Sequence, residues 1–166
     1  MDISLTKLNH AFRKKPLLVG GKAMEYYGLR QSGADIDFIA DKEDVFDLIK
    51  QYPARVKDLW GDLGVCPFEF EIWKSICLFH YTDLCENAQD EGDFLVISLE
   101  KLLIMKACAM HIEKYRVDTQ LIVQELLKRQ YQAYDQNRVE NMDFLSPIQG
   151  ITYLEKTGPV SDEILP

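Results

Sequence analysis

Two aspartates in the first quarter of the chain have the type and spacing that metal-dependent chemistry needs. Asp35 and Asp37 alternate with Ile36 and Phe38 in a segment with the pattern of a strand, so both carboxylates are expected on one face. Paired carboxylates suit a magnesium ion, which completes its shell with water and substrate phosphates. A two-metal arrangement would stabilise the attacking and leaving oxygens of a phosphoryl displacement. The pair therefore indicates a metal site.

A double glycine forms the second half of this candidate site. Gly20 and Gly21 follow the apolar run 17–19 and precede a predicted helix. Glycines let the backbone approach a phosphate closely, and the helix would direct free N–H groups toward it, with Lys22 and Arg30 adding positive charge. The spacing fits neither the Walker A pattern nor GxGxxG, which excludes the P-loop and Rossmann interpretations. Each motif alone also fits a plain turn or a solvated strand face, but their combination is more specific.

Composition restricts the classes of protein to consider. The 166 residues carry a net charge of −8, which argues against a protein that coats nucleic acid along its whole surface. Residues 1–30 nevertheless contain six basic residues against two acidic ones, so the positive end coincides with the double glycine. The four cysteines form no CxxC pair, which favours reduced thiols over zinc or disulfides: Cys66, Cys77, Cys85 and Cys108.

The sequence contains no signal-peptide core and no apolar run long enough to span a bilayer. We therefore expect a cytoplasmic protein with no membrane partner. The length and the ordinary hydrophobic content of 47% predict one main domain with a substantial core.

Hydrophobic periodicity predicts the elements that must position these residues. Helices are predicted at residues 3–13, 22–27, 42–52, 99–114 and 116–134, and strands at 17–19, 35–40, 55–59, 68–73 and 93–97. A turn is expected at 60–64, and residues 75–90 are expected to be irregular or weakly helical. Ser98 is a good N-cap for the fourth helix.

The strand at 68–73 alternates apolar and polar residues in strict period two. Its apolar side chains are expected to face the core: Phe68, Phe70 and Ile72. Glu69 and Glu71 would then share the opposite face. This strand is the nearest source of further carboxylates for the candidate site.

The same pattern predicts how the chain is organised. Residues 1–97 are expected to form an α/β core, residues 98–134 a helical pair packed on it, and residues 135–166 a loosely structured extension rich in polar residues, proline and glycine. The fold class is therefore α+β (or α/β), a small mixed β-sheet with flanking helices followed by a C-terminal helical segment.

These motifs resemble a known family. Val19-Gly20-Gly21, then thirteen residues, then Asp35-Ile36-Asp37-Phe38 is similar to the signature of the nucleotidyltransferase fold of the DNA polymerase β superfamily. Two further strings resemble its small bacterial branch, which includes minimal nucleotidyltransferases and abortive-infection toxins of toxin–antitoxin pairs: Arg30-x-Ser32 and Ser98-Leu99-Glu100-Lys101-Leu102-Leu103-x-x-Lys106. The resemblance covers roughly residues 10 to 128.

The resemblance implies transfer of a nucleoside monophosphate from a nucleoside triphosphate to an acceptor hydroxyl, with Mg²⁺ or Mn²⁺ as cofactor. By position, Asp35 and Asp37 would bind the metal. A third carboxylate would help to bind metal or activate the acceptor, with Glu71 as first choice and Glu69 as second, although the family more often has Asp there. The implied nucleotide-binding residues are Gly20, Gly21, Lys22, Arg30, Ser32 and Lys106.

Two roles stay open at this point. Lys106 contacts a phosphate, or its stem lies along the surface of a mostly apolar helix. Lys114, Arg116 and Asp118 resemble the basic-then-acidic cluster between the family's last helices, where they form either a substrate contact or a structural ion pair.

The function itself has three alternatives. The first is a metal-dependent nucleotidyltransferase whose acceptor is a small molecule, a protein or RNA. The second is a catalytically silent nucleotidyltransferase-fold module that binds a nucleotide or a protein partner. The third is a purely structural α/β protein with a solvated acidic strand face. Pairing with a protein partner or as a homodimer stays open in each case.

Overall fold

A computed structural model of the chain describes residues 3–132 and 134–151, with the side chain of residue 135 excepted. The described residues up to Ile122 form one compact unit, and those from Val123 onward form a second. The strands are β1 Leu17–Leu18, β2 Ile36–Ile39, β3 Val56–Leu59, β4 Asp62–Val65, β5 Phe70–Trp73, β6 Ser75–Ile76, β7 Phe79–His80, β8 Gln89–Asp90 and β9 Leu95–Val96. The helices are α1 Gly20–Tyr26, α2 Lys42–Gln51, α3 Tyr81–Leu84, α4 Leu99–Cys108, α5 Glu113–Gln132 and α6 Tyr134–Leu145.

The predicted α+β class with a mixed sheet is confirmed. Within the described residues, seven strands form one sheet in the order β3-β4-β5-β2-β1-β9-β8, and β6 and β7 form a separate hairpin. Strand β2 is antiparallel to β1 and parallel to β5. The candidate metal-binding strand therefore has the glycine segment on one side and the alternating strand on the other.

The core lies against the apolar faces of these central strands. Phe38, Phe70 and Ile72 are almost fully buried, and the ring of Phe38 lies 6.4 Å from that of Phe70 and 5.7 Å from that of Phe94. Burial of such side chains stabilises the fold by about 1.5–3 kcal/mol each. Because side chains alternate along a strand, this packing directs Asp37 and Glu71 to the opposite face.

The capped helices follow the sequence closely. Helix α2 begins after Asp41, whose carboxylate accepts a hydrogen bond from the Glu43 amide at 3.1 Å. Helix α4 begins after Ser98, whose hydroxyl accepts from the Lys101 amide at 3.3 Å, so the predicted N-cap is confirmed. Helix α4 ends at Cys108 and α5 begins at Glu113, so the break between them lies earlier than predicted. None of the helices in the described residues is long and apolar enough to cross a membrane.

The predicted helix at 3–13 is wrong. Only a short 3-10 turn, Leu5–Leu8, forms there, and Asn9 ends it in the left-handed conformation with φ 45°. The apolar residues Ile3, Leu5 and Leu8 are buried as the pattern indicated. Periodicity identified the buried side chains but not the backbone that carries them.

The alternating strand is shorter than predicted. Strand β5 begins at Phe70, because Phe70 N–H donates to the Pro67 carbonyl at 3.0 Å and closes a turn before it. Phe68 lies in that turn with φ 55° and is 64% exposed, so its predicted place in the core is wrong. Glu69 lies in the same turn and does not share a strand face with Glu71.

Two other segments contain more regular structure than predicted. The chain turns at Trp60 and Gly61, both with positive φ, so β3 and β4 form a tight hairpin where only a first strand was expected. Residues 75–90, predicted as irregular or weakly helical, contain β6, β7, α3 and β8. Helix α6 forms where the loosely structured extension was predicted to begin, and residues 152–166 of that extension lie outside the described residues.

Candidate functional site

The pairing of β1 with β2 brings Gly20 directly against Asp37. The Val19 N–H donates to the Asp37 carbonyl at 2.9 Å, and Gly20 follows with φ 64°. A Cβ at position 20 would lie 2.2 Å from Oδ2 of Asp37. Only glycine fits this position, because any other side chain would meet both the carboxylate and a disfavoured backbone conformation. The close approach at Gly20 is therefore to the Asp37 carboxylate, and the predicted approach to a phosphate stays a prediction.

The parallel pairing of β2 with β5 brings a second carboxylate to Asp37. Glu71 is the register partner of Asp37, so the two side chains share one face of the sheet. Burial raises the pKa of Asp37, and the charges of Glu71 and, more weakly, Asp35 raise it further. Lys106 and a hydrogen bond from Trp73 act in the opposite direction. Asp37 therefore lies close enough to Glu71 and Asp35 to be repelled by the charge of each.

Glu71 is engaged by a lysine that the sequence did not point to. Lys57 Nζ on β3 lies 3.2 Å from Glu71 Oε1, and this hydrogen bond is the main cause of the raised pKa of Lys57. The same ammonium lies 5.4 Å from the centroid of the Trp73 ring. Glu69, the second choice for the third carboxylate, instead forms an ion pair with Lys7. The geometry favours Glu71 over Glu69.

Three other predicted nucleotide-binding residues lie around Gly21: Lys22, Arg30 and Ser32. A Cβ on Gly21 would lie 3.5 Å from Cβ of Ser32 and 3.8 Å from Nη1 of Arg30. The Ser32 hydroxyl donates to Glu25 Oε2 at 2.6 Å, and Lys22 Nζ donates to the same oxygen at 2.9 Å. These two bonds lower the pKa of Glu25. Sequence reasoning missed Glu25, although its spacing from Lys22 on a helix was a usable signal.

The Lys106 side chain does not lie along the protein surface, and its ammonium has a carboxylate partner. Its ammonium is buried and lies 2.9 Å from Oδ2 of Asp118. Arg30 binds the same carboxylate with two parallel hydrogen bonds, Nε to Oδ1 at 2.6 Å and Nη2 to Oδ2 at 2.9 Å. Desolvation lowers the pKa of Lys106, while its hydrogen bond to Asp118 opposes that effect. Of the predicted basic-then-acidic cluster, Asp118 is therefore the member that joins the site.

The other two members of that cluster lie on the surface. Arg116 Nη2 pairs with Glu113 Oε2 at 2.5 Å, and Lys114 Nζ lies 5.9 Å from the centroid of the Tyr115 ring. Both side chains belong to exposed residues. The structure brings neither of them to the carboxylates.

Two uncharged residues adjoin the site without any signal in the sequence. Lys106 Nζ lies 4.6 Å from the centroid of the Tyr115 ring, and burial and the charge of Asp37 raise the pKa of the Tyr115 hydroxyl. Burial and the charge of Glu71 raise the pKa of the Cys66 thiol. Both residues come from segments distant from Asp37 in sequence, so only the fold associates them with it.

The chemistry of Asp35 and Asp37 fits a divalent cation. Both offer carboxylate oxygens, the ligands that magnesium prefers, and a cation would relieve the repulsion on partly buried Asp37. In the part of the chain that the structure describes, no three His, Cys, Asp or Glu side chains are arranged as a ready metal-binding group. Glu71 instead directs one oxygen to Lys57. Asp35 lies just before β2 and is exposed, so it does not share a strand face with Asp37 as predicted. These two aspartates would be the ligands of a cation, with Glu71 as a third once Lys57 releases it.

Comparisons with protein-family models, with curated proteins and with solved structures gave no match. Resemblance to the nucleotidyltransferase family therefore depends on the quoted motifs, and the candidate site on the geometry above.

Proposed function

We propose that this chain is a metal-dependent nucleotidyltransferase, which transfers a nucleoside monophosphate from a nucleoside triphosphate to an acceptor hydroxyl. One observation carries the proposal: partly buried Asp37 lies between Gly20, which approaches its carboxylate as no other residue could, and Glu71, its register partner. The motifs suggest the reaction class. The contact between the double glycine Gly20-Gly21, here called the glycine turn, and the Asp37 carboxylate supports this reaction class. An acidic strand face that only meets solvent would not require such a contact.

Each residue has a chemical role in this proposal. Asp35 and Asp37 would hold the cation, which when bound would polarise a phosphoryl oxygen and neutralise charge on the leaving pyrophosphate. The glycine turn and Arg30, whose Nη1 lies beside Gly21, would bind and orient the triphosphate. Orientation matters because positioning the reacting groups lowers the barrier more than any single contact.

The transfer step is a displacement at the α-phosphorus of the nucleotide. The acceptor oxygen attacks the α-phosphorus, a new phosphorus–oxygen bond forms, and the bond to pyrophosphate breaks. Glu71 is the carboxylate near Asp37 that would accept the hydroxyl proton. General-base catalysis of this kind contributes roughly 10²- to 10⁴-fold to a rate.

Isothermal titration with each nucleoside triphosphate, with and without Mg²⁺ or Mn²⁺, tests the proposal. The wild type should bind in a metal-dependent way, and Asp35→Ala and Asp37→Ala should lose that binding. Absent or metal-independent binding by the wild type would overturn the enzymatic proposal. Transfer of label from an α-labelled triphosphate into cell extract would then identify the class of acceptor.

A matched pair of variants tests the third carboxylate. Glu71→Gln should reduce the transfer rate by roughly 10²- to 10⁴-fold, as expected for loss of a general base. Glu69→Gln should leave the rate unchanged, because Glu69 pairs with Lys7 in the turn before β5. Equal rates for the two variants would contradict the role assigned to Glu71.

A second function, a nucleotide-binding module without catalytic activity, is favoured by one observation. Glu71 is engaged by Lys57 at 3.2 Å, so the third carboxylate is not available as the structure stands. This alternative predicts metal-dependent nucleotide binding with no label transfer to any acceptor. It also predicts that Glu71→Gln binds nucleotide as the wild type does.

A further inference from the structure

A buried carboxylate joins three separate segments beside the candidate site. Asp118 on α5 is 1% exposed and accepts hydrogen bonds from Arg30, which follows α1, and from Lys106 on α4. The contact with Arg30 is bidentate, with distances of 2.6 Å and 2.9 Å. Because the guanidinium is planar, two parallel bonds fix its orientation as well as its position.

That orientation directs the rest of the guanidinium to the glycine turn. Nη1 of Arg30 donates to the Gln31 carbonyl at 2.9 Å and lies 3.8 Å from the place of a Cβ on Gly21. The hydrogen bonds of Arg30 within the described residues use three of its five N–H groups, which leaves one on each terminal nitrogen. The side chain is 23% exposed, so a ligand can reach it.

The charges of this network do not cancel. Arg30 and Lys106 are both cationic and share the single carboxylate of Asp118. Asp37 is the next carboxylate that Lys106 influences, so it offsets part of the surplus. The remaining positive charge lies on the partly exposed guanidinium of Arg30, where an anionic ligand can reach it without a metal at Asp37. Hydrogen bonds between a guanidinium and a phosphate are charge-assisted, so binding of such a ligand is favoured.

We infer that Asp118 is a positioning residue, which holds Arg30 so that its remaining N–H groups bind the polyphosphate of the nucleotide at the glycine turn. Asp118 itself does not contact the ligand. This inference rests on the proposed function, because it assigns the phosphate-binding half of the same site. It differs from a purely structural ion pair in one respect: the geometry of the Asp118–Arg30 contact, and not only its presence, determines anion affinity.

Titration with sodium tripolyphosphate in buffer that contains EDTA tests this inference without metal or transfer chemistry. The wild type should bind tripolyphosphate. Arg30→Lys keeps the charge but loses the two parallel bonds, and Asp118→Glu keeps the charge but displaces the guanidinium. Each should weaken binding about tenfold, as loss of a charged hydrogen bond predicts. The double variant should be no weaker than the weaker single variant, because both changes remove one interaction.

A second buried carboxylate provides the matched control. Asp44 is also fully buried and binds an arginine, Arg13, with Nη1 at 2.9 Å from its Oδ1, but neither residue lies in the candidate site. Asp44→Asn should therefore lower thermal stability without changing tripolyphosphate affinity. Arg30→Lys and Asp118→Glu both keep the charge of the residue they replace, so a change in their affinity reports the geometry of the contact and not the local charge.

The outcomes separate this inference from the proposed function. Wild-type tripolyphosphate affinity in Arg30→Lys or in folded Asp118→Glu would overturn the inference, as would failure of the wild type to bind tripolyphosphate. Metal-dependent nucleotide binding that requires Asp35 and Asp37 would still support the enzyme in those cases. Conversely, loss of tripolyphosphate binding in both variants supports the inference even if no transfer activity is found. In the active enzyme, Asp118→Asn should raise KM for the nucleotide more than it lowers kcat.

Discussion

Gly20 and Asp37 are in such close contact that a Cβ at position 20 would lie 2.2 Å from Oδ2 of the aspartate. Seventeen positions of sequence separate them, and the antiparallel pairing of β1 with β2 brings them together. The contact explains why a glycine follows the first strand, because a side chain there would displace the carboxylate on which the candidate site depends. It also leads to a direct test.

Gly20→Ala should lower the free energy of unfolding by about 2–5 kcal/mol, because a positive φ costs about 1–2 kcal/mol and the clash adds about 1–3 kcal/mol. Gly28→Ala is the matched control, since Gly28 has φ 70° but nothing within 4 Å of its added Cβ. The Gly28→Ala variant should lose only the free energy that a positive φ costs, about 1–2 kcal/mol. Urea denaturation measures both, and equal losses would show that the contact with Asp37 is relaxed at no cost.

Asp37→Asn should stabilise the metal-free protein at neutral pH while abolishing metal-dependent nucleotide binding. Burial raises the pKa of Asp37 above the ordinary 3.8, so the folded state favours the protonated form. The wild type should therefore lose stability relative to Asp37→Asn as pH rises from 3.8 through the raised pKa, and the difference should then stay constant. Denaturation in EDTA across that range measures it.

Asp41→Asn is the control of opposite sign. The hydrogen bond from Lys14 lowers the pKa of Asp41, so its contribution to stability is present above 3.8 and is lost as pH falls through the lowered value. Asparagine keeps the N-cap of α2, so the comparison isolates the charge. If both variants changed stability in the same direction at neutral pH, the electrostatic account of Asp37 would be wrong.

Lys57→Met should increase the affinity for Mn²⁺ or Mg²⁺ by up to about fivefold, because it releases Glu71 and removes a competing cation. A partly exposed pair of this kind contributes up to about 1 kcal/mol, which sets that range. Lys50→Met is the control, because Lys50 pairs with Asp47 at 3.6 Å and the substitution removes the same charge outside the site. Titration calorimetry or Mn²⁺ paramagnetic resonance measures the affinity. An equal increase in both variants would indicate a general charge effect.

Asp44→Ala should lower the free energy of unfolding by about 2–4 kcal/mol and leave nucleotide affinity unchanged. This carboxylate is fully buried and accepts hydrogen bonds from His10 Nε2 at 3.1 Å and from the Arg13 amide at 3.2 Å. Its loss leaves those donors without their partner. Asp47→Ala removes a more exposed contact with Arg13 and should cost under about 1 kcal/mol. Equal losses would mean that Asp44 contributes no more than a surface pair.

The buried strands and the capped helices were accessible from sequence because their signals are local. The apolar run at 17–19, the alternation around Asp37 and the N-cap at Ser98 predicted elements that the structure contains. The predictions of a helix at 3–13 and of Phe68 in the core were wrong for the same reason. Periodicity describes which side chains are buried, but it does not reveal the turn at Asn9 that ends the first helical segment or the turn from Pro67 that precedes β5.

The candidate site divides in the same way. Sequence spacing identified Gly20, Asp35, Asp37 and the two glutamates as candidates, because residue type and alternation depend on neighbours along the chain. It did not identify Lys57 or Glu25, and it named Asp118 without its partners Arg30 and Lys106. A partner across a sheet or between helices is fixed by register and packing.

By itself, the sequence determined which residues could do chemistry: a double glycine, two aspartates at the start of a strand and an acidic strand to supply a third carboxylate. Tertiary structure decided their environment. The parallel register of β2 with β5 favours Glu71 over Glu69, and the pairing of β1 with β2 brings Gly20 against Asp37. Packing of the helices makes buried Asp118 the partner of Arg30 and Lys106. The physical reason is that charge and burial act through distance in space, which local sequence does not encode.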